Sequence, residues 1–305
     1  MIIVTSGSAY LDIDAYAGCI AYAELLNLTG RPARAVSRAP LNLSISPSLR
    51  DGGKGLDCHV PQPDDEFVLV DVSDPRYLDR IVKIERVIEV IDHHPGFEAF
   101  WVERLAERAD IRVIGAACTQ VYERWVASGL LASISPSSAT LLAAGILDNT
   151  LNFGALVTTE QDIQAYAALA RLAGLSDDWP ARYFMECQEA LEGKLHVALL
   201  QDLKTMEQSD LLPRFFAQLC VWNAQVLLQR QRPRIALELG KFSDDWLLNI
   251  ISIQERKSHL LMGSTLSTQK IMTLLDHPGH DAEMVLTPPI LRKELVAKAL
   301  AKAAG

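Results

Sequence analysis

Residues 87–94 read Val-Ile-Glu-Val-Ile-Asp-His-His, a short apolar run that stops at a carboxylate and two adjacent imidazoles. A run of this length, bounded by polar residues, has the pattern of a buried strand. In open parallel sheets, ligands bind beyond the carboxyl ends of the strands. Two more runs end in the same way. Residues 67–71 are Phe-Val-Leu-Val-Asp, and Asp74 and Pro75 turn the chain just beyond. Residues 1–5, Met-Ile-Ile-Val-Thr, lead through Ser6 to Tyr10 into Leu11-Asp12-Ile13-Asp14, and Ala15 to Leu28 is then apolar and helix-forming apart from Glu24 and Asn27. Strand-like and helix-like segments alternate to about residue 175. That alternation predicts an α/β fold whose parallel sheet carries helices on both faces.

Any one of these acids has an ordinary explanation. An Asp at a helix start caps free backbone N–H groups, and a strand-end Asp is a common turn residue. One cap does not explain both Asp12 and Asp14, and the repetition over three strand ends predicts one acidic cluster on one sheet edge. Divalent cations such as Mg²⁺ prefer oxygen donors, while imidazole suits transition metals. Several Asp with one or two His therefore fit Mn²⁺, Co²⁺ or Fe²⁺, with Mg²⁺ also accommodated. Two such ions about 3.5–4 Å apart can activate a water and clamp a phosphoryl oxygen.

The order Asp-x-Asp, strand-Asp, Asp-His-His resembles the DHH phosphoesterase superfamily. A fourth segment resembles the stretch that supplies the last metal-binding Asp there: Gly145-Ile-Leu-Asp-Asn-Thr-Leu-Asn-Phe153, followed by Thr158-Thr-Glu-Gln-Asp162. Gly115 to Val121 is similar to the helix start that follows the histidines in those proteins. Near the end, Leu286 to Val296 contains Arg292-Lys293 and is similar to the closing element of manganese-dependent inorganic pyrophosphatases and of exopolyphosphatase and prune proteins. Asp202-Leu203-Lys204 resembles the Asp-x-Lys segment that opens their second domain. The resemblance implies two divalent metal ions, Mn²⁺ ahead of Co²⁺ or Mg²⁺, held by Asp12, Asp14, Asp71, His93 and Asp148. His94 would contact the phosphate and supply a proton or hydrogen bond. Lys204, Arg292 and Lys293 would bind substrate phosphates, since Arg grips phosphate with two donors and Lys acts as a point charge. Asp92 would orient an imidazole from behind.

Two positions depart from the pyrophosphatase pattern. Ser8 stands where those enzymes carry a metal-binding His. Alignment on Phe153 places Asn149, rather than Asp148, at the position of the last ligand. Asp148 is the better ligand for a hard cation because it is anionic, and a shift of one residue in the turn would bring it in.

At 305 residues the length suits two domains, expected as a metal-binding phosphoesterase domain over 1–182 and a smaller α+β substrate-binding domain over 183–305, with the active site in the cleft between them. In the second, apolar runs at 234–239, 247–253 and 259–262 and a helix over 267–276 are expected. The stretch 42–66 reads as a short helix plus a surface loop containing Arg50-Asp-Gly-Gly-Lys-Gly55, whose spacing fits no P-loop. Cys19, Cys58, Cys118, Cys187 and Cys220 show no pairing pattern. With no signal peptide or membrane span, this points to a cytoplasmic protein. A net charge of −9 disfavours long nucleic acid as a partner but not a small phosphate-containing substrate, because bound cations invert the local field. The apolar helices would serve a homodimer interface as well as an intrachain one. The expected activity is hydrolysis of phosphoanhydride bonds in pyrophosphate or short polyphosphate. The alternatives are a phosphodiesterase acting on short oligonucleotides or cyclic dinucleotides, and a catalytically silent phosphate-binding protein.

Overall fold

The structure, a computed structural model, describes residues 1–51, 56–207 and 209–304. The glycine-bearing part of the loop, 52–55, lies outside the described residues; the short helix expected before it is present. The chain divides into two compact units, Met1–Tyr183 and Phe184–Gly305.

The first unit runs β1 (Ile2–Thr5), α1 (Ile13–Leu28), β2 (Ala33–Ala35), α2 (Pro47–Asp51), β3 (Glu66–Val70), β4 (Val87–Asp92), α3 (Glu98–Leu105), β5 (Ala109–Ile111), α4 (Ala117–Ala127), α5 (Pro136–Asn149) and α6 (Glu160–Ala173). A further helix, α7 (Trp179–Gly193), contains the division between the units. The strands form one sheet in the order β2-β1-β3-β4-β5, and every pairing is parallel. Strand side chains alternate between faces, and both faces of this sheet are apolar. Phe67 and Leu69 pack with Ile3, Val90, Trp101 and Leu105, which places α3 on one face. Val70, of opposite parity, meets α1 so closely that a Cβ at Gly18 would lie 2.6 Å from its Cγ1. The runs read as nearly continuous apolar sequence because helices cover both faces.

Local signals start and stop the helices around the site. Ser135 caps α5 by accepting from the Ser138 N–H, and Pro136 occupies the first turn, where its missing N–H costs nothing. Thr159 and Asp162 form a reciprocal capping box on α6. That helix ends at Gly174 with φ 66°, a left-handed position glycine adopts without a Cβ penalty.

The second unit contains α8 (Leu195–Asp202), β6 (Lys204–Thr205), β7 (Phe215–Val221), α9 (Ala224–Gly240), β8 (Trp246–Ser252), β9 (Lys257–Met262), α10 (Thr265–Leu275), β10 (Glu283–Leu286) and α11 (Arg292–Ala304). Its sheet has the order β10-β9-β8-β7-β6. Only the β7–β8 pair is parallel, and the others are antiparallel. A core of Phe216, Leu247, Leu260, Met262, Ile271 and Leu295 joins the sheet to α10 and α11. The apolar runs expected at 247–253 and 259–262 are β8 and β9, and the run at 234–239 lies within α9. No helix among the described residues is long and apolar enough to cross a membrane.

Candidate metal centre

The carboxyl edge of the first sheet gathers the acids named above. Asp12 caps α1, its Oδ1 accepting from the Ala15 N–H at 3.0 Å. Asp14 lies in the first turn of α1 and is fully buried. Its two oxygens accept from the N–H groups of Ala117 (2.8 Å) and Cys118 (2.7 Å). Those amides open α4, so Asp14 is an anion held at a helix N-terminus, where free donors and the helix dipole favour negative charge. The close approach of α5 depends on Gly145, where a Cβ would lie 2.5 Å from Cys118 Sγ and 3.2 Å from Asp14 Cα.

Asp71 follows β3 with φ 60°. A non-glycine residue in this region costs about 1–2 kcal/mol, and the turn directs the carboxylate at the histidines. Asp71 Oδ1 lies 3.2 Å from His93 Nε2 and 3.7 Å from His94 Nδ1. The other ring nitrogen of His93 lies 3.1 Å from the Ile114 carbonyl. A carbonyl can only accept, so Nδ1 carries hydrogen and Nε2 is left facing Asp71, with Asp14 Oδ2 at 3.7 Å. Asp71 Oδ1 is buried and has no hydrogen-bond partner among the described residues. An imidazole lone pair and a carboxylate oxygen at this range require a proton or a cation between them.

Asp92 lies behind the histidines, its Oδ1 accepting from the backbone N–H groups of His93 (2.8 Å) and His94 (3.2 Å) and bonded to His94 Nδ1 at 2.8 Å. His94 is the exposed member, its side chain 62% accessible. Ligand atoms of Asp71, His93 and His94 all lie within 4.8 Å of one another, a grouping able to hold a metal ion.

Asp148 is in the last turn of α5, with Oδ1 3.4 Å from the Tyr183 hydroxyl. The chain leaves the helix through Leu151, Asn152 and Phe153, all with left-handed φ (50°, 53° and 61°). Asn149 is its neighbour, and the Asn149 Nδ2 is buried with no hydrogen-bond partner among the described residues. Ser8 is exposed, and its N–H donates to the Tyr77 carbonyl at 2.8 Å.

Burial and crowded carboxylates set the electrostatics. Burial, then the Asp14 charge, raises the Asp12 carboxyl above its ordinary value. Burial and the neighbouring Asp71 push Asp14 to about 6, and burial and Asp12 push Asp71 to about 6. Asp148 rises to about 7 through burial and the charge of Asp12. For His93, burial opposes the proton, but Asp71 and Asp14 outweigh it and raise the pKa to about 10. For His94, partial burial again opposes the proton, and the bond to Asp92 with the Asp71 charge outweighs it, so this pKa is also raised. Excess negative charge in low dielectric costs several kcal/mol per ion unless a positive charge enters. The buried acids and the unsatisfied Asp71 oxygen fit a divalent cation, and the Asp/His donor set suits a borderline metal.

The predicted substrate residues lie in the second unit. Arg292 opens α11, and its guanidinium holds Asp202 through two nitrogens, with Nη2 3.0 Å from Oδ1 and Nη1 close to Oδ2. Lys204, on β6, and Lys293 are exposed. Sequence reasoning missed Tyr183, Ser44 and the Ile114 carbonyl as neighbours of the cluster, because nothing local marks them.

A parallel sheet with Asp and His residues at its carboxyl edge is followed by a unit with a mixed sheet, a fold shared over nearly the whole chain with a solved structure. The chain resembles "Probable manganese-dependent inorganic pyrophosphatase" of Bacillus mycoides (strain KBAB4), at 26% identity over 203 residues, 65% of this chain and 64% of that protein. A protein of the same name from Bacillus cereus is 26% identical over 204 residues, with the same shares. The match thus spans 64% of the length of these curated relatives. Among solved structures, a "putative family II inorganic pyrophosphatase" of Methanococcus jannaschii aligns at TM-score 0.68 and 19% identity over 99% of both chains. An "exopolyphosphatase-related protein" of Bacteroides fragilis aligns at 0.53 and 14%, over 99% of this chain and 92% of the other. No family model matches. The curated relatives are named as pyrophosphatases, and the solved structures that share this fold are titled as a pyrophosphatase and an exopolyphosphatase-related protein.

Proposed function

We propose that this chain is a divalent-metal-dependent phosphohydrolase that cleaves phosphoanhydride bonds in pyrophosphate or short polyphosphate. The observation that carries the reading is the convergence of Asp14, Asp71 and His93 on one buried point where Asp71 Oδ1 has no hydrogen-bond partner among the described residues. Asp12, Asp14, Asp71, His93 and Asp148 would hold two ions, with Mn²⁺ favoured by the names of the relatives and Co²⁺ or Mg²⁺ as substitutes. Bound divalent cations lower the pKa of water and neutralise phosphoryl charge. The protein's own groups do the rest. The α4 amides orient Asp14 and oppose the upward push of burial on its carboxyl. The Ile114 carbonyl keeps the His93 proton on Nδ1, so that Nε2 is the donor atom. His94, held through Nδ1 by Asp92 and raised in pKa, keeps Nε2–H available to donate to a phosphate oxygen and to protonate the departing phosphate. Lys204 and Lys293 are the exposed candidate phosphate cations of the second unit, with Arg292 already engaged by Asp202. The cysteines described are free thiols, in keeping with a reducing, cytoplasmic setting.

The test is phosphate release from pyrophosphate, tripolyphosphate and a dinucleotide with Mn²⁺, Co²⁺ or Mg²⁺. Release from tripolyphosphate or pyrophosphate that Asp71→Asn removes supports the reading, and release from the dinucleotide alone replaces the substrate class. Ser8 and Asn149 favour a second reading, a protein that binds metal and phosphate without turnover. Folded protein that takes up Mn²⁺ yet releases phosphate from none of these compounds would establish it.

A further inference from the structure

Asp148 sits beside an amide, in the last turn of a helix, just before three consecutive left-handed residues. A carboxylate in such a place needs something to aim it. The Tyr183 hydroxyl lies 3.4 Å from Asp148 Oδ1 and donates to the Ser44 carbonyl at 2.8 Å. Ser44 Oγ accepts in turn from the N–H of Ile13, the residue between Asp12 and Asp14, at 3.0 Å. One phenol thus joins the end of α5, the 42–46 segment and the turn that carries Asp12 and Asp14. Tyr183 is 3% exposed, and its ring stacks on Trp179 with centroids 5.5 Å apart. Packing and hydrogen bonds within the fold thus hold the ring in place.

We propose that Tyr183 is a positioning residue for the metal centre, its hydroxyl setting the Asp148 carboxylate against the Asp12–Asp14 turn. The inference rests on the reading of Asp148 as a metal ligand. A hydroxyl has one hydrogen to give. The Ser44 carbonyl at 2.8 Å and Asp148 Oδ1 at 3.4 Å share it, and a carboxylate is the stronger acceptor of the two. The same contact favours Asp148 as the ligand, because its Oδ1 lies within reach of the hydroxyl.

Tyr183→Phe keeps the ring, the Trp179 stack and the core volume, and removes only the hydroxyl. Mn²⁺ affinity would be read by calorimetry, the visible spectrum of the Co²⁺ form would report ligand geometry, and melting of the metal-free protein would report folding. Loss of a partner that orients a metal ligand weakens binding about 10–100-fold. That loss, with a changed Co²⁺ spectrum and little change in metal-free melting, is the expected result. Unchanged affinity and an unchanged spectrum would overturn the proposal, whatever the melting temperature does. A cycle with Asp148→Ala separates the routes: in that background Tyr183→Phe should cost nothing more, and a full additional loss would mean that the hydroxyl acts elsewhere. If Asp148→Ala alone leaves Mn²⁺ affinity unchanged, the ligand assignment and the role of Tyr183 fall together. If wild-type protein binds no divalent ion, the functional reading itself is wrong.

Discussion

Asp71 Oδ1 and His93 Nε2 face each other at 3.2 Å, and the Ile114 carbonyl takes the only hydrogen that a neutral His93 carries. The pair is an acceptor meeting an acceptor unless a proton or a cation joins them. In the metal-free protein a proton does so, which is why His93 is raised to about 10.

The acid cluster makes the metal-free protein sensitive to alkali. Asp14 and Asp71, near 6, and Asp148, near 7, sit above the usual 3.8 when folded. They therefore bind more protons folded than unfolded, and stability falls as pH rises from about 4 to about 7. His93 acts with the same sign. Its contribution is complete below the usual 6.5 and is lost as pH rises through about 10. Metal-free protein should melt at progressively lower temperature from pH 5 to pH 9. Added Mn²⁺ should restore more at pH 8 than at pH 5.5, because at acid pH the ion must displace protons. A metal-free melting temperature that rises over this range would refute the charge assignment.

Asp71→Asn should abolish metal-dependent phosphate release, by at least about 100-fold, because a bound cation contributes several kcal/mol of charge stabilisation. The same change takes from His93 the carboxylate that raises it to about 10. The fall in metal-free stability above about pH 7 should therefore be smaller in Asp71→Asn than in wild type, and calorimetric scans of both proteins across pH would show it.

Gly145→Ala tests the packing that brings α5 against α1. The new Cβ would meet Cys118 Sγ at 2.5 Å and Asp14 Cα at 3.2 Å. Overpacking of a filled core costs about 1–3 kcal/mol. Urea unfolding should give a loss in that range, and pairing with Cys118→Ala should recover part of it.

Asp162 belongs to the same sequence motif as Asp148 but does different work. Its carboxylate accepts from the N–H of Gly115 (3.1 Å), the hydroxyl of Thr119 (2.5 Å) and the N–H of Thr159 (2.7 Å). Asp162→Ala leaves those buried donors unsatisfied, at about 1–3 kcal/mol for each. It should lower the melting temperature strongly while leaving Mn²⁺ stoichiometry in the folded fraction unchanged. A lost ion instead would make Asp162 part of the metal centre.

Much of the site could be read along the chain because each strand announces its own end. The apolar runs that close at Asp71 and Asp92, and the turn into Asp12 and Asp14, are local patterns. A parallel sheet brings all such ends to one edge, so their spacing in sequence predicts their meeting in space. The Asp–His composition likewise indicates a divalent cation, since donor chemistry belongs to residue type. Partners far along the chain are what the sequence could not show. Asp14 is held by amides 103 and 104 residues away, His93 takes its tautomer from a carbonyl 21 residues away, and Tyr183 reaches Asp148 across 35 residues. Helix packing decides those contacts, and no periodicity records it. The strand ends therefore determine by themselves that acids and imidazoles share one edge. Only tertiary structure decides which atoms face inward, which proton each imidazole keeps, and how far burial lifts each carboxyl, because hydrogen bonding and desolvation depend on neighbours that the chain order does not name.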